Sequence, residues 1–126
     1  MTKWVTRSVV FAIHEEQIAE HGGTQGIRDI GLLESALARP QNLAAYGQAD
    51  IVALAASYAF GLAKNHPFLD GNKRTSYVTT LVFLRINGLD IQADEAERIQ
   101  LWLDLAAGEL TEDKLAEWLR ARVVKV

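Results

Sequence analysis

Apolar residues recur at three- and four-residue intervals along most of the chain, so the spacing predicts helices rather than strands. A first helix follows Thr6 as N-cap, carries Val9, Val10, Ile13 and Ile18, and stops at Gly22-Gly23. After a glycine-rich loop to Gly26, Asp29 caps a second helix with Leu32, Leu33, Ala36 and Leu37 on one side, limited by Pro40. Asp50 caps a third, in which Ile51, Leu54, Ala55, Tyr58, Ala59 and Leu62 keep the same spacing. This helix is the most apolar and is expected at the centre. Pro67 disfavours helical geometry at the preceding residue, so His66 falls where helix gives way to loop. A fourth helix begins near Gly71-Asn72, uses Val78, Leu81, Val82 and Arg85, and closes at Asn87-Gly88. Asp94 and Glu97 form a capping-box-like start for a fifth, carrying Ile99, Leu101, Trp102 and Leu105 as far as Gly108. Thr111, with Glu112 and Asp113 in the first turn, starts a sixth that buries Leu115, Trp118 and Leu119. Strand character is confined to residues 5–10 and 89–91. The pattern predicts an all-α, single-domain bundle of about six helices over residues 1–126.

Composition narrows the class. A chain of 126 residues, 49% hydrophobic and 23% charged, suffices for one domain with one core. A net charge of -3 supplies no basic face, so direct nucleic-acid binding is not expected. With no cysteine, disulfides and thiolate metal sites are excluded, and His14, His21 and His66 are not spaced as zinc ligands. The apolar stretch over residues 51–63 falls short of the roughly 20 residues that a membrane span needs, and no secretory signal is visible. The expectation is a soluble, cytoplasmic protein.

Chemistry concentrates in His66-Pro67-Phe68-Leu69-Asp70-Gly71-Asn72-Lys73-Arg74, at the predicted loop-to-helix junction. A helix N-terminus presents unpaired N–H groups and the positive end of the macrodipole, which together bind phosphate oxygens. Gly71 lets a ligand approach the backbone, and Lys73 and Arg74 place full positive charge where it opposes the dipole, an arrangement that an anion between them relieves. Asp70 is the natural ligand for magnesium, which shares one carboxylate with nucleotide phosphates. Asn72 has an amide to donate to a phosphate oxygen. Histidine is the one residue type in the set suited to taking a proton near neutral pH, so His66 is the candidate general base for an attacking hydroxyl. Phe68 is expected to point into the core. The same residues also suit a plain structural role: Pro67, Asp70 and Gly71 are turn residues, Asp70 or Asn72 suits an N-cap, and Lys73 and Arg74 suit a solvated face.

The run from His66 to Arg74 resembles the signature of the Fic family: histidine, phenylalanine, an acidic residue, then Gly-Asn-Gly-Arg with a second arginine three positions on. The resemblance implies His66 as base, Asp70 for magnesium, and Gly71, Asn72, Lys73 and Arg74 as the cradle for the phosphates of ATP. Lys73 stands at the signature's second glycine and Tyr77 at its second arginine. Both departures resemble the Doc branch, in which ATP is reversed and the γ-phosphate, rather than AMP, is transferred. Residues 22–23, 26–29, 32–34 and 83–88 also look Doc-like. The implied activity is that of a type II toxin, a protein kinase acting on a threonine of elongation factor Tu and so inhibiting translation.

The chain has no Glu-Gly or Glu-Asn dipeptide, so the self-inhibiting helix of many Fic proteins is absent in cis. The resemblance therefore implies a Phd-type antitoxin whose C-terminal segment folds over the site. Two other readings stand beside the kinase: a Fic-type AMP transferase acting on a protein hydroxyl, and an idle module that binds nucleotide or a partner. Elsewhere, Lys64 suits the last carbonyls of its helix, Arg28 a loop near the substrate, and Asp29 a cap. His14 and His21 read as solvent-exposed, and Trp4, Trp102 and Trp118 as core or groove-lining.

Overall fold

The computed structural model describes residues 1–126 as six helices and a small sheet. The helices are α1 (Arg7–His21), α2 (Ile30–Tyr46), α3 (Ile51–Asn65), α4 (Asn72–Ile86), α5 (Glu95–Ala106) and α6 (Glu112–Arg120). Strands β1 (Leu89–Ile91) and β2 (Val123–Lys125) pair antiparallel, with Ile91 opposite Val123 and Leu89 opposite Lys125. The expected helical bundle is thus present, with one strand that the hydrophobic pattern did not mark.

The most apolar helix is central, as its composition predicts. From Val52 to Ala63 every residue of α3 except Ala53 and Phe60 is buried, and α3 packs against α2, α4 and α6. Asp29 and Asp50 cap α2 and α3 by accepting from Leu32 N and Ala53 N, and Thr111 caps α6 by accepting from Lys114 N. Tyr58 spans the core to the amino-terminal segment, where its hydroxyl accepts from Val5 N (3.1 Å) and donates to Val5 O (3.2 Å). Burial pushes the Tyr58 hydroxyl above its usual pKa.

Several expectations are corrected. Pro40 does not limit α2, which runs on to Tyr46. The proline is buried, and Ala44 one turn later packs on the core, so side-chain burial outweighs the lost backbone bond. Residues 5–10 form no strand, and Val9 is exposed; α1 buries Val10, Ile13, His14, Gln17 and Ile18. In α4 the fully buried stripe is Thr75, Ser76, Thr79, Thr80, Phe83 and Leu84, while Val78, Leu81 and Val82 are only half-buried. Polar side chains fill that stripe because some find partners there. Ser76 Oγ donates to Ala59 O (2.7 Å) and accepts from Trp102 Nε1 (3.1 Å), joining α3, α4 and α5. Asp94 precedes α5 without a side-chain cap bond, and Glu97 pairs with Arg122 instead of reaching back, so the expected capping box is absent. Ile99 is exposed, and Trp118 is half-buried under the Arg122 guanidinium, 4.4 Å from the ring centroid.

Candidate active site

The loop between α3 and α4 is built by its own sequence. With Pro67 next, His66 leaves the helix in the left-handed region (φ 52°) and ends α3. Gly71 repeats that conformation (φ 76°) before α4, and a Cβ there would stand 3.1 Å from Ile18 Cδ1. Between them Phe68 is fully buried, as expected. Asn72 closes the turn: its Oδ1 accepts from Phe68 N (2.9 Å), and its Nδ2 donates to Phe68 O (2.9 Å) and His66 Nδ1 (3.1 Å).

Those bonds decide a proton position. The Phe68 peptide fixes the amide orientation, so Asn72 turns an N–H toward His66, and Nδ1 must accept it. The neutral imidazole therefore carries its proton on Nε2. The amide has no donor left for a phosphate, so the structure makes Asn72 an organiser of the loop.

Two distant segments clamp the same loop. Arg28 N and Asp29 N both donate to Pro67 O (2.7 and 3.0 Å), Leu69 N donates to Gly26 O (3.1 Å), and Ile27 bridges Phe68. The Arg28 side chain caps the end of α3, with Nε donating to His66 O (2.7 Å) and Nη2 to Asn65 O (2.8 Å). From α1, His14 is buried rather than exposed. Its ring stacks on Phe68 with centroids 3.8 Å apart, and its Nε2–H donates to Asp70 O (2.8 Å). A carbonyl only accepts, so the His14 proton is on Nε2.

The Asp70 carboxylate is exposed and held without a cation. Oδ1 accepts from Gly71 N (2.9 Å) and Oδ2 from Thr24 N (3.2 Å). Gly23 lies directly beneath it: a Cβ at Gly23 would fall 2.7 Å from Asp70 Oδ2. His66, Asp70, Gly71, Asn72, Lys73 and Arg74 line one cavity of about 280 Å³. No other carboxylate, histidine or cysteine gathers there as a ligand cluster. This suits magnesium, which commonly takes one carboxylate and completes its shell with phosphates and water. The first bond of α4 is Thr75 N to Gly71 O (3.0 Å), and no side chain caps the turn. The N–H groups of Asn72, Lys73 and Arg74 are consequently free to meet an anion. Lys73 and Arg74 are exposed and form no ion pair.

Residues 4–84, which include every element of this site up to α4, match the Fic/DOC family. The chain is 35% identical over 112 residues to the protein kinase Doc of Escherichia phage P1, covering 88% of each chain. It is 45% identical over 76 residues to the toxin Doc of Mycolicibacterium smegmatis, covering 58% of each. The chain belongs to the Fic/DOC family, on its Doc branch. Membership accounts for the loop between α3 and α4. The support from His14, Gly23, Thr24 and Arg28 had only faint signals in the sequence: a glycine pair, and a basic residue beside a cap. His21 is partly exposed and stays outside the site, as does Lys64, which lies over the Phe60 ring at 5.3 Å.

Proposed function

We propose that the chain is the toxin of a type II toxin-antitoxin pair, a cytoplasmic protein kinase that transfers the γ-phosphate of ATP to a threonine hydroxyl of elongation factor Tu. The observation that carries this reading is one cavity holding His66, Asp70 and the uncapped start of α4, with Lys73 and Arg74 both unpaired. The relative named a protein kinase supports γ-phosphate transfer over AMP transfer, and Lys73 and Tyr77 at the two departures from the Fic signature support it further.

In this reaction the γ-phosphorus bonds to the threonine oxygen while its bond to the β-phosphate bridge breaks, and ADP leaves. Lys73, Arg74 and the first N–H groups of α4 hold the phosphates and offset the charge that builds on the departing ADP. Asp70 would hold a magnesium ion, which would supply further positive charge against the phosphates. A base needs a lone pair, so the exposed His66 ring turns away from the Asn72 N–H and takes the hydroxyl proton at the freed Nδ1. A Phd-type antitoxin, folding its C-terminal segment over the cavity, supplies the restraint that the chain lacks in cis.

The test is incubation with elongation factor Tu and ATP labelled at the γ- or the α-phosphate. Label from the γ-position alone is expected, together with its loss in His66→Ala. Label from the α-position would instead establish AMP transfer, and absence of label with intact nucleotide binding would leave an idle binding module.

A further inference from the structure

Beyond His66 lies a second cavity, of about 410 Å³, between the end of α3 and the turn that joins α5 to α6. It shares His66 and Ala106 with the active-site cavity, and neither Lys73 nor Arg74 lines it. Its walls are mainly apolar, with Phe60, Ala63, Leu105 and Leu110 among them. Apart from His66 it has three polar side chains, and two of these are engaged. Glu112 pairs with Arg39 of α2, and Thr111 Oγ1 accepts from Lys114 N (3.2 Å). The third, Lys64, is exposed, lies 5.3 Å from the Phe60 ring centroid and enters no ion pair.

An in-line displacement places leaving group and attacking hydroxyl on opposite sides of the phosphorus. Lys73 and Arg74 stand on the leaving side, so the hydroxyl comes from the side of His66, and the segment that carries it runs into this cavity. Ala106, Ala107 and Gly108 form an exposed rim without bulky side chains, where another backbone can pass close. Successive residues of an extended segment are about 3.5 Å apart, so the immediate neighbours of the acceptor fall between the walls. To those neighbours the cavity offers apolar surface to cover and one cation without a partner. A nucleotide base would meet no unengaged polar side chain there except His66 and Lys64.

We propose that this cavity is the acceptor subsite: it takes an apolar side chain beside the threonine that is phosphorylated, with an acidic residue of the same segment on Lys64. Phe60 and Leu110 cover the apolar side chain. An acidic neighbour neutralises the one unpaired charge of the cavity, whereas a basic neighbour meets repulsion from Lys64, so the same residue selects and rejects. This assignment rests on γ-phosphate transfer to a protein hydroxyl as proposed above, and adds to it which residues choose the acceptor.

A library of peptides with one threonine among randomised neighbours, incubated with the protein, magnesium and γ-labelled ATP, reads the preference directly. The wild-type protein is expected to select an apolar and an acidic residue close to the threonine. Lys64→Glu, at an exposed position, is expected to turn the charge preference from acidic to basic, which a mere loss of structure would not do. Ala107→Trp fills the cavity from its exposed rim and is expected to raise KM for the best acceptor peptide about tenfold, with KM for ATP unaltered. An unaltered charge preference in Lys64→Glu together with an unaltered acceptor KM in Ala107→Trp would overturn the subsite, and continued γ-labelling would leave the kinase reading standing. A raised KM for ATP in Ala107→Trp would also overturn it and give the cavity to the nucleotide. Absence of γ-label from every peptide and from elongation factor Tu with the wild-type protein would sink the kinase reading and the subsite together.

Discussion

His14 holds the metal-binding candidate through the backbone rather than the carboxylate. Its Nε2–H donates to Asp70 O, and its ring lies flat against Phe68, 8° from parallel, so the loop is fixed on both sides of Leu69. A hydrogen bond of this kind contributes about 1 kcal/mol net and the stacked pair about as much again. His14→Ala is therefore expected to cost about 2 kcal/mol of stability. Turnover is expected to fall roughly tenfold because Asp70 loses its position. His14→Gln keeps an N–H of similar reach and should recover part of the turnover without restoring stability. Melting curves and kcat with its magnesium dependence check this; an alanine variant with unaltered kcat would remove His14 from the site. The role was illegible in the sequence for a physical reason. A lone histidine on an amphipathic helix looks the same whether its face meets solvent or a loop some fifty residues on, and only the tertiary fold tells the two apart.

Element by element, the caps were the most legible feature, because a cap is a contact between near neighbours in sequence. Asp29, Asp50 and Thr111 each accept from the third residue on, where local chemistry places them. Pro40 and the polar stripe of α4 were not legible, since burial against α3 and the Ser76 bonds to Ala59 and Trp102 are settled by packing. Strand β2 escaped because three residues acquire a pairing only from β1, more than thirty positions earlier. Asp50 joins both kinds of information: besides capping α3 it receives the Arg120 guanidinium from the end of α6, at 3.1 Å. The hydrogen bond from Arg120 holds the Asp50 carboxyl below its ordinary value of 3.8, and Asp50 in turn raises the Arg120 pKa. A carboxyl depressed by folding contributes stability that is present above its unfolded pKa and lost as pH falls through the folded one. Asp50→Asn keeps the cap and removes the ion pair. Because the pair is exposed, the variant is expected to lose only about 0.5 kcal/mol at neutral pH. Its deficit should vanish once the pH lies well below 3.8, where the wild-type carboxyl is protonated too. Denaturant melts across that range check it, and a deficit that persists in acid would assign the loss to the cap.

For the whole molecule, the site is an assembly of three stretches, two of which also reach into the core, α1 through Val10 and the loop through Phe68. Residues 66–74 were legible because their chemistry is contiguous. Helix α1 and residues 23–29 supply the surroundings, and their proximity exists only once α1 packs on α4 and residues 26–29 bond to residues 67–69. Stability and activity should separate at site positions whose own residue lies outside the core, and exposed Gly23 is where they part most cleanly. It sits at φ +116°, where a side chain is strained, and a Cβ would press on Asp70 Oδ2 from 2.7 Å. Gly23 is exposed and its only buried hydrophobic neighbour is the tip of Ile18, 3.2 Å from an added Cβ, so Gly23→Ala should lower the melting temperature by a few degrees at most, the strain being absorbed by an exposed loop. The carboxylate, however, must move aside, and displacement of a reacting group by about 1 Å costs up to a hundredfold in rate. Transfer is expected to fall at least tenfold, with more magnesium needed for half-maximal activity and affinity for metal-free nucleotide unchanged. A parallel loss of stability and activity would mean that residues 23–29 belong to the folding core. Full activity at ordinary magnesium would mean that Asp70 does not hold the ion, and the metal site would have to be sought on the phosphates alone.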